Sequence, residues 1–261
     1  GNYVNEVTKQ QPGFGGYMLA AGFVVLIFML FGWFKNVIDE SMSGLYSAQM
    51  DRSFRQGMSW FIVSEVMFFM AFFGALFYGR VIALDWLSGG SNNAMTFEIL
   101  WPSFEAMWPL LKTPGGIETQ AMPATGLPLI NTAILVISSI TLHFAHTGLE
   151  QNKRGQLKLM LLVTLLLGAT FLSLQVYEYI HAYRDLGLTL ASGFYGNTFF
   201  LLTGFHGMHV TLGAIILLFV FFRVLKGHFT PEKHFAFQAA AWYWHFVDVV
   251  WLCLYVFVYV I

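Results

Sequence analysis

Titratable side chains recur three residues apart inside the apolar stretches of this chain. Three such pairs are present: Glu178 with His181, His206 with His209, and His245 with Asp248. Residues at this spacing lie on the same face of a helix. Imidazoles and carboxylates gathered in this way could ligate a metal, relay protons or hydrogen-bond neighbouring helices.

Metal ligation would need more ligands than the spacing alone provides. The first pair has the Glu-x-x-His spacing of di-iron carboxylate bundles, which use two such motifs and two further glutamates; this chain has one motif. Haem ligation by His206 or His209 would need a facing histidine, which His143 or His146 could supply. The third interpretation is hydrogen bonding between helices, typically worth about 0.6–2 kcal/mol per bond. We favour the third, and the others stay open at this point.

Glu65 is an isolated acid within the apolar stretch MSWFIVSEVMFFMAFF. It lies about eight residues into that stretch, or roughly 12 Å at 1.5 Å per residue. Arg80, the next cation along, is beyond its reach. A buried carboxyl without a cation is expected to stay protonated, with Ser64 or a histidine of another helix as hydrogen-bond partner. A neutral structural acid and a proton-handling group both fit this pattern.

The composition is that of an integral membrane protein. Of the 261 residues 57% are hydrophobic and 10% are charged, whereas soluble domains average about 25% charged residues. The net charge of −1 offers no basic field for nucleic acid. The single cysteine, Cys253, excludes a disulfide framework within the chain.

Six apolar segments have the length of about 20 residues that crosses a bilayer. They cover approximately residues 16–34, 57–79, 127–148, 157–182, 194–225 and 240–261. Only helices or closed barrels satisfy their backbone in lipid, and continuous runs exclude the alternating strands of a barrel. We therefore predict an all-α bundle forming one domain over residues 1–261, with residues 80–126 as a long interfacial loop on the outer side.

Basic residues are distributed unevenly among the five connections. The first, third and fifth carry Lys35, Arg52, Arg55, Lys153, Arg154, Lys158, Arg223, Lys226 and Lys233, whereas the second and fourth carry Arg80, Lys112 and Arg184. The positive-inside rule places the first group on the cytoplasmic or matrix side. Gly1 and Ile261 then lie outside. Because no cleavable signal peptide is visible, an outside start suggests a further span before Gly1.

Four stretches together resemble subunit III of haem–copper cytochrome c oxidases, of proteobacterial type. They are FGWFKNVIDES (31–41), GMSWFIVSEVMFF (57–69), GFHGMHVTLGA (204–214) and HFAFQAAAWYWHFVDVVWLCLYVFVYV (234–260). The resemblance covers nearly the whole chain. It implies a seven-helix fold in which the first two helices are splayed from the other five by a phospholipid-filled cleft. The six spans would then be helices two to seven.

The resemblance also implies which residues carry which roles. Glu65 matches a buried glutamate beside the lipid cleft, a candidate for a proton or oxygen path. Arg223 and His228 match basic positions that meet lipid head groups. Lys35 stands where arginine is common, so it keeps the charge but not the bidentate geometry. The stretch SGLYSAQMD replaces a histidine-rich segment, so histidine roles from that segment do not transfer.

The resemblance implies a subunit without catalytic residues, metal or cofactor of its own, apart from bound phospholipid. Haem a and copper would belong to subunits I and II of the complex. Subunit I would be the direct partner and subunit II a further one, with small accessory subunits or supercomplex partners left open. The three pairs, Glu178, His181, His206, His209, His245 and Asp248, would be polar clasps between helices. The complex would reside in a bacterial inner membrane. The alternatives are subunit III of a quinol oxidase and, in a different class, a free-standing membrane haem b protein or transporter.

Overall fold

The computed structural model describes residues 2–9 and 13–261. It divides into two compact units, residues 1–54 and residues 55–261. Within these described ranges, six helices are long and apolar enough to cross a membrane, as the hydropathy pattern predicts. Among the described residues the one β-type pairing is an isolated bridge between Lys112 and Glu118, so the all-helical prediction is confirmed.

The helices follow one another along the chain, and the longest connection, residues 101–126, lies between α5 and α6. Two of them continue into π-helical stretches, α3 into Tyr78–Ala83 and α9 into Tyr255–Val260. The bounds are α1 Asn2–Thr8, α2 Gly15–Met42, α3 Ala48–Phe77, α4 Leu84–Leu87, α5 Ala94–Leu100, α6 Leu127–Glu150, α7 Arg154–Arg184, α8 Phe194–Leu225 and α9 Phe235–Leu254.

The first unit consists of α1, α2 and the beginning of α3. Glu6 accepts hydrogen bonds from the backbone N–H of Gly15 at 2.9 and 3.0 Å, which ties α1 to the start of α2. At the other end of α2, the Tyr46 hydroxyl donates to the Val37 carbonyl at 3.2 Å and lies 3.0 Å from Glu40 Oε2. Limited burial, with the hydrogen bond and negative charge of Glu40, raises the pKa of Tyr46.

The second unit is built around a bundle in which α6 packs against α7 and α9, and α8 packs against α7 and α9. Helices α6 and α7 are joined by residues 151–153, where the Lys153 N–H donates to the Gly148 carbonyl at 2.7 Å. So short a connection makes the two helices antiparallel neighbours. Helix α9 is the most buried of the six spans, because its aromatic side chains fill the centre of the bundle.

Trp244 is at the centre of this packing and is fully buried. A Cβ atom added to Gly168 of α7 would lie 2.7 Å from the indole, and one added to Gly213 of α8 would lie 3.0 Å from it. The two glycines therefore provide the space for the ring. The Trp244 Nε1–H donates to Ser138 Oγ of α6 at 3.0 Å. One side chain thus contacts three neighbouring helices.

The predicted loop over residues 80–126 begins later in the structure. The membrane-spanning helix continues through the π-helical stretch as far as Leu87, because apolar residues persist beyond Arg80. The remainder packs onto the ends of other helices. The Gln120 N–H donates to the Leu186 carbonyl at 3.1 Å, and the Met122 N–H donates to the Tyr195 hydroxyl at 3.2 Å.

Candidate functional site

Glu65 of α3 contacts a histidine of α8. Its Oε2 atom lies 2.8 Å from His209 Nε2. The side chains of Glu65 and His209 are 20% and 6% exposed. Ser64 instead donates to the Phe61 carbonyl of its own helix. Of the two hydrogen-bond partners that the sequence suggests for Glu65, the structure therefore has the histidine.

The position of one proton follows from the second nitrogen of His209. Its Nδ1 atom lies 2.6 Å from the Phe205 carbonyl, and a carbonyl only accepts, so Nδ1 carries a hydrogen. If the pair is uncharged overall, one further proton lies between Nε2 and the Glu65 carboxyl. Both the neutral pair and the ion pair satisfy this geometry. The arrangement can therefore move a proton between two side chains without any rearrangement of the helices.

His245 and Asp248 of α9 meet at one serine of α6. The Ser139 hydroxyl lies 2.7 Å from His245 Nδ1 and forms a short hydrogen bond with Asp248 Oδ2. A hydroxyl has one hydrogen to donate, so it donates to the carboxylate and accepts from the imidazole N–H. Spacing alone placed His245 and Asp248 on one face, and the bridging hydroxyl explains why that face is polar.

This bridge is one of several hydrogen bonds between α6 and α9. The Trp251 Nε1–H donates to Thr132 Oγ1 at 3.0 Å, and Trp244 donates to Ser138 in the same way. We call this set the α6–α9 seam; it comprises Thr132, Ser138 and Ser139 of α6 and Trp244, His245, Asp248 and Trp251 of α9. The two tryptophan bonds advance in opposite directions along the two helices, from Thr132 with Trp251 to Ser138 with Trp244, as expected for antiparallel neighbours.

The pair Glu178 and His181 does not act as a unit. The Glu178 Oε1 atom accepts from the Tyr259 hydroxyl at 2.6 Å, a buried contact between α7 and the π-helical end of the chain. His181 Nδ1 lies 2.6 Å from Asp185 Oδ2, four residues further along the same segment. The predicted interhelical clasp therefore does not include His181. Its imidazole reaches the exposed end of α7, where a carboxylate of the same turn is the nearest partner.

His206 and His209 also face different partners. His206 Nε2 donates to the Val247 carbonyl of α9 at 3.2 Å, and the ring packs against Phe171 and Trp251. Both nitrogens of His209 are engaged, with Phe205 and Glu65. In this arrangement an iron could bind His209 only if a protein hydrogen bond were broken.

Arg223 and His228 lie together at the end of α8. The Arg223 guanidinium carbon is 4.6 Å from the centre of the Phe229 ring, and the His228 N–H donates to the Arg223 carbonyl at 3.0 Å. Within residues 2–9 and 13–261, Arg223 Nε and His228 Nδ1 are buried without a hydrogen-bond partner. Desolvation, with the positive charges of Arg223 and Lys226, lowers the pKa of His228. These groups would suit an anion.

Spacing within single segments does not identify the residues that complete these contacts. Ser139, Thr132 and Tyr259 are ordinary residues of apolar helices, and spacing within one segment says nothing about which segment lies opposite. A usable signal was the recurrence of hydroxyl side chains on one face of residues 127–150, next to the aromatic and polar face of residues 235–254. The hydroxyl groups on that face identify hydrogen-bond partners only when α6 and α9 are known to be neighbours.

Comparisons with known proteins give one consistent result. A family model described as Cytochrome c oxidase subunit III matches residues 13–261. The chain is 40% identical to "Cytochrome c oxidase subunit 3" of Loxodonta africana over 243 residues, which cover 93% of this chain and 83% of that protein. The same protein of Hippopotamus amphibius is 40% identical and that of Gadus morhua 39% identical, with the same coverage.

Proposed function

The chain belongs to the cytochrome c oxidase subunit III family, and we propose that it is a core membrane subunit of an aerobic respiratory oxidase with no redox centre of its own. The observation that carries this proposal is the family match over residues 13–261. The relatives are named as cytochrome c oxidase subunits, which favours cytochrome c over quinol as the electron donor.

The proposed partners are oxidase subunits I and II, which would hold haem a and copper. Helices α7 and α8 each expose apolar side chains on one face while burying those on another. Exposed apolar surface on a membrane helix is covered by lipid or by another helix. We infer that this chain stabilises subunit I through such faces, and that electrons pass from cytochrome c to oxygen without entering it.

The cluster of Arg223 and His228 supports a lipid-binding role. In the part of the chain that the structure describes, no carboxylate pairs with Arg223, so its charge lacks a protein counter-ion. Basic groups near the membrane surface favour anionic head groups by about 1 kcal/mol each. A phospholipid phosphate is the anion we propose for this cluster. Lys35 of α2 is proposed to bind lipid separately, and the cleft implied by the family stays a prediction.

Lipid binding can be tested by native mass spectrometry of the complex with cardiolipin or phosphatidylglycerol added. Arg223→Gln is expected to reduce retention of anionic lipid about fivefold, the equivalent of about 1 kcal/mol. Arg184→Gln provides a matched control, because Arg184 is an exposed arginine at the end of α7. Equal lipid retention in the two variants would exclude Arg223 from the lipid site.

The Glu65–His209 pair supports a further role in proton uptake and oxygen access. The direct contact between Glu65 Oε2 and His209 Nε2 provides a path for a proton between two helices. Because the chain is proposed to lack redox centres, this pair would modulate turnover rather than carry out the reaction. The proposed location is a bacterial inner membrane with the first, third and fifth connections in the cytoplasm, as the positive-inside rule predicts.

The direct test is gentle solubilisation of membranes followed by affinity isolation of this chain. We expect co-isolation of a haem a-containing oxidase that consumes oxygen with reduced cytochrome c. After selective removal of this chain, the remaining complex should retain its haem spectrum but lose activity faster during turnover. A stoichiometric haem spectrum in the isolated chain would instead identify a free-standing haem protein.

A further inference from the structure

Three potential metal ligands converge where α6 ends and α9 begins. His146 and Glu150 are four residues apart in the last turn of α6, and His234 directly precedes α9. One ligand atom from each residue lies within 4.8 Å of the others. His146 Nε2 and Glu150 Oε1 are 3.7 Å apart, which is too long for a strong ion pair and leaves room for an ion.

The orientation of both imidazoles leaves a nitrogen available to a metal. His234 Nδ1 lies 3.2 Å from the Thr230 carbonyl, so Nδ1 carries the hydrogen and Nε2 keeps its lone pair. Metal-binding histidines commonly use such a second hydrogen bond to fix the tautomer. His146 stacks on Phe237, with ring centroids 5.6 Å apart and planes at 18°. Its Nε2 is buried and finds no hydrogen-bond partner among the described residues.

The distances suit a small transition-metal ion after a modest side-chain adjustment. Zinc binds histidine nitrogen and carboxylate oxygen at about 2.0–2.2 Å, which places tetrahedral ligands about 3.4 Å apart. Separations of up to 4.8 Å need to close by at most about 1.4 Å to reach that spacing. Two imidazoles and one carboxylate favour zinc, copper or nickel over calcium or magnesium, which prefer oxygen ligands alone.

We propose that His146, Glu150 and His234 form a reversible divalent-metal site of zinc type, which joins the end of α6 to the start of α9. Three protein ligands leave one position of a tetrahedral ion open to water, so the ion exchanges with the medium. The site lies beyond one end of the α6–α9 seam and would add a further link between the same two helices. The inference rests on this geometry and not on the proposed oxidase role.

Neighbouring charges and the pH of the medium affect the affinity of the site for a metal ion. Lys153, Arg154 and Lys233 are close to the three ligands in sequence. Imidazoles must be neutral to bind a metal. Affinity is therefore expected to fall as the medium is acidified below the ordinary histidine pKa of about 6.5. The single Glu-x-x-His motif and the family resemblance predicted no metal on this chain, and His234 belongs to a different segment from the other two ligands.

The test uses the intact complex, washed with a chelator and titrated with Zn²⁺ or Co²⁺ alone. Wild-type protein is expected to bind one ion at this site, with histidine nitrogen ligation in X-ray absorption and visible bands of tetrahedral Co²⁺. His234→Ala and Glu150→Gln should each weaken binding at this site at least about tenfold, since even changes to groups that only orient a ligand cost 10–100-fold. His143→Ala is the control, because His143 lies on the same helix outside the cluster.

Each outcome decides the proposal. Weakened binding in both ligand variants and not in the control supports it. If His234→Ala prevents assembly, Glu150→Gln decides alone, because Glu150 is exposed and its replacement keeps the shape of the side chain. Unchanged binding in Glu150→Gln, or equal loss in His143→Ala, overturns the assignment. Failure of the oxidase role would appear instead as absence of co-isolated haem a.

Discussion

The α6–α9 seam and the Glu65–His209 contact join helices through different chemistry. In the seam, the hydroxyl of Ser139 separates His245 from Asp248, and indole N–H groups donate to Ser138 and Thr132. At the other contact a carboxyl and an imidazole touch directly. An inserted hydroxyl fixes geometry without giving up its proton, whereas a direct acid–base pair can exchange one.

Burial reinforces this difference. Trp244 and Trp251 are fully buried, whereas the Glu65 side chain is 20% exposed. Removing a seam member therefore leaves a void or an unsatisfied group among packed helices. Changing Glu65 affects a group at the margin of the packed region. The seam is expected to determine stability, and the Glu65 pair is expected to tune function.

The largest effect is expected for Trp244→Ala. Truncation of a fully buried aromatic side chain costs about 3–5 kcal/mol, and here it also removes the donor to Ser138. Trp244→Phe keeps much of the ring and should cost mainly the hydrogen bond, about 0.6–1.7 kcal/mol in a membrane. Equilibrium unfolding of the chain in mixed micelles measures both. Equal losses in the two variants would show that the packing between Gly168 and Gly213 contributes little.

A smaller loss is expected for Ser139→Ala. The change removes the bridge and leaves the buried Asp248 carboxyl without its partner, at a cost of about 1–3 kcal/mol. Ser173→Ala is the matched control, since the exposed Ser173 hydroxyl donates to a carbonyl of its own helix. Equilibrium unfolding in mixed micelles should show a larger loss of stability for Ser139→Ala than for Ser173→Ala. A loss in the control as large as in Ser139→Ala would contradict the bridging role.

Glu65 variants test the functional side of the comparison. Glu65→Gln can still hydrogen-bond His209 and should leave assembly and initial oxygen consumption largely intact, while changing activity during sustained turnover. Glu65→Ala removes the contact, worth about 0.6–1.7 kcal/mol, and should loosen the association of this chain with the complex. Steady-state oxygen consumption with saturating reduced cytochrome c, alongside subunit stoichiometry, measures both. Loss of initial turnover in Glu65→Gln with all subunits present would make the carboxyl an obligatory proton carrier.

The smallest effect concerns His228, a titratable group outside the spans that serves as a reference for the comparison. Its pKa is lowered in the folded protein, so the unfolded chain binds more protons just below the ordinary histidine pKa of about 6.5. Stability from this group is present above that value and is lost as the pH falls toward the folded pKa. Between about pH 8 and about pH 5, the free energy of unfolding should decrease slightly less in His228→Gln than in wild type. A steeper decrease of the unfolding free energy in the variant would show that the pKa of His228 is raised in the folded protein rather than lowered.

The fold could be predicted from the sequence more completely than the contacts. The long fifth span, predicted over residues 194–225, coincides with α8, because hydropathy reports directly on lipid burial. The end of the second span was predicted too early, since Arg80 interrupts the apolar run without ending the helix. Helix ends depend on local packing as well as on composition.

The contacts could be predicted only in part, because spacing defines a face of a helix but not its neighbour. His245 and Asp248 both contact Ser139, yet nothing in their own segment indicates that residue. His181 has the same spacing from Glu178, and its partner is Asp185 at the end of its own helix. His234 and His146 come together only through the pairing of α6 with α9.

The hydroxyl groups of α6 have a consequence for the order of biosynthesis. Helix α6 leaves the ribosome well before α9, so it must enter lipid without its partner. The Ser138 hydroxyl donates to the Leu135 carbonyl at 2.7 Å and that of Thr132 to the Pro128 carbonyl at 2.8 Å, both within α6. Their hydrogens are therefore satisfied in the isolated helix, and their lone pairs remain free. When α9 is inserted after α6, its indoles can bind these free acceptors without any earlier bond being broken.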